Sequence, residues 1–188
     1  MLILLRHGRT RLNEQGRLQG RIDEPLDAVG EAQAAATAAA LGPMDEVIAS
    51  PLARAQQTAA AFGQPIVTDE RWIELSYGIY EGVPQGDVPS EAWSRWMNDP
   101  DWVPEGGESL ATLDVRVREA CEELRERAAG RNVLIVSHVS PIKTAVAWAL
   151  GVGLEFSWRS HLSHASICRI DLRRNGPILF SFNEVVAT

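Results

Sequence analysis

Three short apolar runs recur along the chain, LILL at 2–5, VIA at 47–49 and VLIV at 133–136, and none of them alternates with polar residues. Strands covered on both faces have this form, because side chains pointing to either side of the sheet must then be apolar. The pattern therefore predicts three central, parallel strands. Each run passes into polar residues and then into a helix-like stretch, as in EVIASPLARAQQT and NVLIVSHVSPIKTAVAWAL. Pro51 and Pro141 stand where those helices would begin, a position in which a missing N–H costs nothing and a fixed φ helps. Helices are expected to start near Pro51 and Ser140.

Elsewhere the period changes. Leu110, Leu113, Val117, Ala120, Leu124 and Ala128 recur at spacings of three and four, which predicts a long amphipathic helix over 109–127. The Ala-rich stretch 30–41 reads as another helix, stopped by Gly42 and Pro43. Residues 72–108 are repeatedly interrupted by Pro and Gly-Gly, and are expected to form a lid-like excursion over the sheet with a short helix around 90–97. Near the end, 165–171 and 177–182 read as the strands of a hairpin closed by an Asn175-Gly176 turn. No repeat, low-complexity tract or linker divides the chain, so a single α/β domain over 1–188 with a mostly parallel sheet is expected.

Composition adds bounds rather than a fold. A chain of 188 residues can bury roughly 70% of its unfolded surface and needs no staple. Cys121 and Cys168 are the only two cysteines, too few for a disulfide framework, and the opening MLILLRHG lacks the features of a signal peptide. A cytoplasmic protein with free thiols is expected. No apolar run approaches the ~20 residues of a membrane span, and a net charge of -7 argues against nucleic acid or an anionic membrane as partner. An acidic chain can still gather a few cations in one pocket, which leaves an anionic small molecule open.

The residues at the end of each apolar run sharpen that possibility. In open α/β sheets ligands bind beyond the carboxyl ends of the strands. The first run delivers Arg6, His7 and Gly8 to that rim, the second Ser50 and, one helical turn later, Arg54, the third Ser137 and His138. Four potential cations so gathered repel one another unless an anion joins them. Phosphate suits the set: Arg offers paired planar donors, and helix N-termini near Ser50 and Val139 offer backbone N–H groups.

The stretches RHGRTRLNEQGRLQG, DEPLDAVGEAQA, SPLARAQQTA, IELSYGIYEG, PEGGES and SHVSPIK, in that order, resemble those of the histidine phosphatase, or phosphoglycerate mutase-like, superfamily. The resemblance implies a three-layer α/β/α sandwich around a mostly parallel sheet. It further implies phosphoryl transfer through a phosphohistidine, with no metal and no cofactor. His7 would be the nucleophile, Arg6, Arg54 and His138 would bind the transferred group, and Glu74 would be general acid and base. Thr10, Asn13, Gln19 and Gly20 match pocket positions, and Gly8 and the backbone N–H of Val139 are expected to bind substrate beside them. A neutral imidazole is a competent nucleophile, and Arg6, Arg54 and a protonated His138 would neutralise charge on the equatorial oxygens.

Bland readings stand beside these. His7 and His138 could be structural strand-end histidines, and Arg54 a solvated helix residue. Glu81 lies seven residues after Glu74, and spacing alone does not choose between them; the resemblance assigns Glu81 a structural place. His161, His164 and Cys168 could suggest a metal, but 166–170 reads as a strand, so packing and the pocket rim are preferred. For Trp72, Trp93, Trp96 and Trp102, core packing is favoured over an aromatic wall selecting an apolar substrate moiety. The function expected is hydrolysis of small phosphate monoesters, with a mutase and a non-catalytic phosphoanion-binding module as alternatives. Arg95 is the single basic residue in the acidic segment 83–101, which disfavours a mutase. Many members of the superfamily carry glycines after the second histidine, where this chain has Val139, Ser140 and Pro141. A homodimer is compatible with the sequence, which does not fix the oligomeric state.

Overall fold

The structure, a computed structural model, describes residues 1–187. Six strands form one sheet in the order β3-β2-β4-β1-β5-β6. The three apolar runs are β1 (Leu2–Arg6), β2 (Glu46–Ala49) and β4 (Val133–Ser137), and they occupy interior positions. Strand β3 (Ile66–Thr68), which carries too short an apolar pattern to be read from sequence, adds a parallel edge beside β2. On the other side β5 (Ile167–Arg173) runs antiparallel to β1, and β6 (Gly176–Glu184) completes the sheet.

Successive side chains of the central strands point to opposite faces and supply two separate cores. Leu2, Leu4, Val133 and Ile135 pack with α5 (Leu110–Arg127) and α6 (Val139–Leu150). Ile3, Leu5, Leu134 and Val136 pack with Ala55 and Ala59 of α3 (Ala53–Ala60), against which α2 (Ala28–Leu41) lies. The result is the three-layer α/β/α sandwich. A single turn, α1 (Arg11–Glu14), follows β1.

Several boundaries differ from the sequence reading for local reasons. Helix α3 begins at Ala53 rather than Pro51, because Leu52 is still extended at φ -70 and ψ 139. Helix α2 begins before Gly30, since Asp27 caps it by accepting from the Gly30 N–H at 2.8 Å. The hairpin turn is Arg174-Asn175, one residue earlier than expected, with Gly176 at φ 121 opening β6. The excursion over 72–108 includes α4 (Ser90–Asn98) and has its own small core, in which Val88, Ala92 and Trp96 pack on Leu18. Among the described residues no helix is long and apolar enough to cross a membrane.

Candidate active site

Parallel pairing in register brings the ends of β1, β4 and β2 to one rim, where Arg6 faces Ser137 and Ala49 faces Val136. Beyond that rim the chain turns, and Arg6, His7, Arg54 and His138 meet. Arg54 is 1% exposed, and its Nε–H is shared between His7 Nε2 at 3.3 Å and His138 Nδ1 at 3.2 Å. The two imidazole centroids are 5.0 Å apart.

These contacts fix the tautomers. Because His7 Nε2 and His138 Nδ1 both accept from Arg54, the protons must sit on the opposite nitrogens. His7 Nδ1–H donates to the carbonyl of Gly8 at 2.7 Å, and His138 Nε2–H donates to Ser50 Oγ at 2.7 Å. Burial, and next the Arg54 charge, hold both histidines well below the ordinary imidazole range. His138 is therefore neutral in this arrangement, whereas the protonated His138 of the sequence reading faces a bound phosphoryl group, whose negative charge would offset that of Arg54.

The expected repulsion is also relieved by carbonyls. Arg54 Nη1 and Nη2 donate to the carbonyls of Ile22 and Gly20 at 2.9 and 2.7 Å, and Arg6 Nη1 donates to that of Leu162 at 2.6 Å. Burial lowers both guanidiniums to about 10, opposed by the nearby carboxylate of Glu74. Glu74 is 6% exposed, and its Oε1 accepts from the N–H groups of Leu75 at 2.8 Å and Ser140 at 3.3 Å. Its Oε2 takes no hydrogen bond from the described residues.

A cavity of about 190 Å³ opens here, lined by Arg6, Asn13, Gln19, Gly20, Arg54, Glu74 and Val139 among the residues named from sequence. His7 and His138 lie behind Arg54 and are almost fully buried. Two donors on lining residues, Arg6 Nε and Gln19 Nε2, are buried without a partner among the described residues. Gly8 and Thr10 lie outside the lining. The Gly8 N–H is taken by Thr58 Oγ1 at 3.1 Å, and a Cβ on Gly8 would stand 2.4 Å from the carbonyl oxygen of Gly30. Thr10 caps α1 and donates to Gln19 Oε1 at 2.9 Å, so both residues hold the loop from beneath.

Sequence reasoning missed Arg17, Leu18, Tyr77, Gln85 and Trp158 on the lining; of the four tryptophans for which core packing was favoured, Trp93 lines the cavity and Trp72, Trp96 and Trp102 do not. Arg17 and Leu18 sit inside the quoted RTRLNEQGRLQG and were legible there. Trp158 has no sequence signal, being brought in by the turn Leu154–Trp158. Glu81 is occupied elsewhere: it accepts from the N–H groups of Arg21, Ile22 and Tyr77 and from Ser76 Oγ, and so ties two loops together. None of His161, His164 and Cys168 lines the cavity. Cys168 is buried in β5 opposite Leu4, and burial lowers His164 to about 3. A broader depression of about 530 Å³ lies outside the Glu81 loop and includes neither histidine nor either arginine of the cluster.

Fold and site together define an α/β/α protein with a pocket at the carboxyl rim of its sheet, lined by Arg6 and Arg54, with two histidines bound to Arg54 behind it. The chain belongs to the histidine phosphatase superfamily, branch 1, whose family model matches residues 2–185. It is 32% identical over 192 residues to phosphoserine phosphatase 1 of Hydrogenobacter thermophilus, covering 97% of this chain and 91% of that one. It is 35% identical over 185 residues to the probable phosphoglycerate mutase GpmB of Yersinia enterocolitica, covering 93% and 86%. Against the bifunctional protein Rv2228c of Mycobacterium tuberculosis it is 36% identical over 185 residues, 93% of this chain, and spans about half (51%) of that longer protein. Among solved structures, a mutant phosphoserine phosphatase of Entamoeba histolytica in complex with phosphoserine superposes with a TM-score of 0.88 at 28% identity, covering 97% and 95%.

Proposed function

We propose that this protein is a phosphatase that hydrolyses small phosphate monoesters through a phosphohistidine on His7, without a metal. The observation that carries the reading is the tautomer lock. With Nδ1–H bound to the Gly8 carbonyl, His7 Nε2 carries the lone pair, which accepts from the Arg54 Nε–H and would be freed for attack when Arg54 turns that N–H to a phosphoryl group held with Arg6. The unpartnered Arg6 Nε and Gln19 Nε2 support it, since buried donors are nearly always satisfied and phosphoryl oxygens would satisfy these.

In the first step His7 Nε2 forms a bond to phosphorus while the ester P–O bond breaks, and the leaving alkoxide takes a proton from Glu74 Oε2, one that a monoanionic ester passes to the carboxylate on binding. In the second, water attacks the phosphohistidine, Glu74 receives its proton, and the P–N bond breaks to release inorganic phosphate and restore neutral His7. Arg6 and Arg54 neutralise charge on the equatorial oxygens, and the Ser50 contact keeps His138 Nδ1 open toward Arg54. Among the lining side chains Glu74 is the only carboxylate, a donor set that suits an anion and not a divalent cation.

Hydrolysis is favoured over mutase action because Arg95 belongs to a different depression, with Tyr80, Glu91 and Trp102. Release of phosphate from a panel of monoesters should persist in EDTA, and rapid quench should trap a phosphoenzyme that is acid-labile and base-stable. Trapping should fail in His7→Ala. Activity lost in EDTA and restored by a divalent ion, a label on serine, or conversion of 3-phosphoglycerate to its 2-isomer would each overturn the assignment.

A further inference from the structure

The cavity is lined by two chemically different sets of side chains. Arg6, Asn13, Gln19, Arg54 and Glu74 make one; Leu18, Tyr77, Trp93, Val139 and Trp158 make most of the other. The tryptophans of the second set are packed in place. Trp96 is fully buried and backs them, meeting Tyr77 edge-on at 5.5 Å, Trp93 at 5.3 Å and Trp102 at 5.1 Å. Trp158 stands edge-to-face with Trp93 at 6.3 Å and 82°. Its turn is pinned by Lys143, whose Nζ donates to the carbonyls of Ser157 and Ser160 at 2.7 and 2.6 Å, one on either side of Trp158. An arrangement formed in advance binds without an ordering cost.

Charge beyond the Arg6 and Arg54 pair is limited. Arg17 is the one further cation on the lining, and its Nε and Nη1 are already committed to Gln15 Oε1 at 3.1 Å and the Gly82 carbonyl at 2.6 Å. A cavity of about 190 Å³ also lies below the ~300–1,000 Å³ of sites for larger ligands, so the alcohol must be small.

We propose that Trp93 and Trp158 form the specificity wall of this pocket, and that its preferred substrates are phosphate monoesters of small alcohols bearing a flat apolar ring, ahead of carboxylate-bearing phosphates such as phosphoserine. The proposal rests on the phosphatase reading. Laying a ring on such a wall is worth a preference of about 10- to 100-fold.

The test compares 2-phenylethyl phosphate with ethyl phosphate and O-phosphoserine, three esters with alkoxide leaving groups, on the full chain. The wild-type kcat/KM ratio of phenylethyl to ethyl ester should be at least about tenfold and should collapse toward unity in Trp93→Leu and Trp158→Leu. Calorimetry with 2-phenylethylphosphonate and ethylphosphonate reads the same wall without turnover. If no ester is hydrolysed but the phosphonates show the same wild-type preference and the same collapse, the wall stands and the phosphatase reading falls. A wild-type preference for O-phosphoserine, or a ring preference that survives both substitutions, overturns the wall.

Discussion

Ser50→Ala removes one hydroxyl from the end of β2, and the structure says what that hydroxyl does. Ser50 and His138 are both fully buried, and Ser50 Oγ is the partner of His138 Nε2–H at 2.7 Å. Without it a buried N–H is left unpaired, at about 1–3 kcal/mol. The obvious escape, moving the proton to Nδ1, is closed, because Nδ1 faces the Arg54 Nε–H at 3.2 Å and donor would meet donor. Urea unfolding of Ser50→Ala should therefore show a lower midpoint at unchanged m, equivalent to about 1–3 kcal/mol. Side-chain ¹⁵N spectra of the wild type should show the Nδ1–H tautomer for His7 and the Nε2–H tautomer for His138. In Ser50→Ala, kcat should fall by about tenfold as the His138 ring, the acceptor of Arg54 Nε–H, loses its anchor at Nε2, one power of ten for each ~1.4 kcal/mol. A stability loss below about 0.5 kcal/mol, half the usual hydrogen-bond contribution, or an Nδ1–H tautomer at His138, would refute the reasoning.

Three further outcomes are expected. Glu74→Gln should slow phosphoenzyme formation from an alkyl ester by ~10²- to 10⁴-fold and from p-nitrophenyl phosphate far less, since the phenolate hardly needs a proton; Glu81→Gln should show no such contrast, and rapid quench of both esters in both variants decides. Because His7 and His138 are held well below the ordinary value of 6.5, the unfolded chain binds protons that the folded chain refuses, so stability is full above pH 6.5 and falls as pH drops below it. Each histidine adds about 1.4 kcal/mol per pH unit to that fall, and His7→Asn should remove its share in urea titrations between about pH 6.5 and 5. Gly8→Ala places a Cβ 2.4 Å from the Gly30 carbonyl oxygen and Gly30→Ala one 2.1 Å from that of Arg9, so each should lower thermal stability by about 1–3 kcal/mol; a rise in Tm for Gly30→Ala, as helix propensity alone would give, contradicts the close approach.

Much of the molecule was legible in one dimension because its signals are local. Apolar runs without alternation marked β1, β2 and β4 as interior strands, since burial on both faces leaves no polar position to spare. The spacing in α5 and the Gly42 stop of α2 follow from helix geometry within a few residues. The RHG and SHVS stretches placed their histidines at strand ends, and parallel pairing then requires those ends to share a rim. Strand β3 and the single turn α1 escaped because they are too short to carry a period.

What needed the folded chain was every property that depends on who faces whom. That Arg54 bridges both histidines, and so sets their tautomers and keeps His138 neutral, follows from a helix and two strand ends meeting across 47 and 84 residues of sequence. Gly8 and Thr10 sit beneath the pocket because their hydrogen-bonding groups are taken by Thr58, Asn13 and Gln19, a competition no spacing reveals. Glu74 and Glu81 are alike in sequence and differ only in surroundings: four donors hold Glu81 to its loops, while Glu74 Oε2 takes no hydrogen bond from the described residues. Sequence thus determined which residues reach the rim, through periodicity and strand ends; only tertiary packing decided their protonation and their partners, because both depend on burial and on charges brought close from distant parts of the chain.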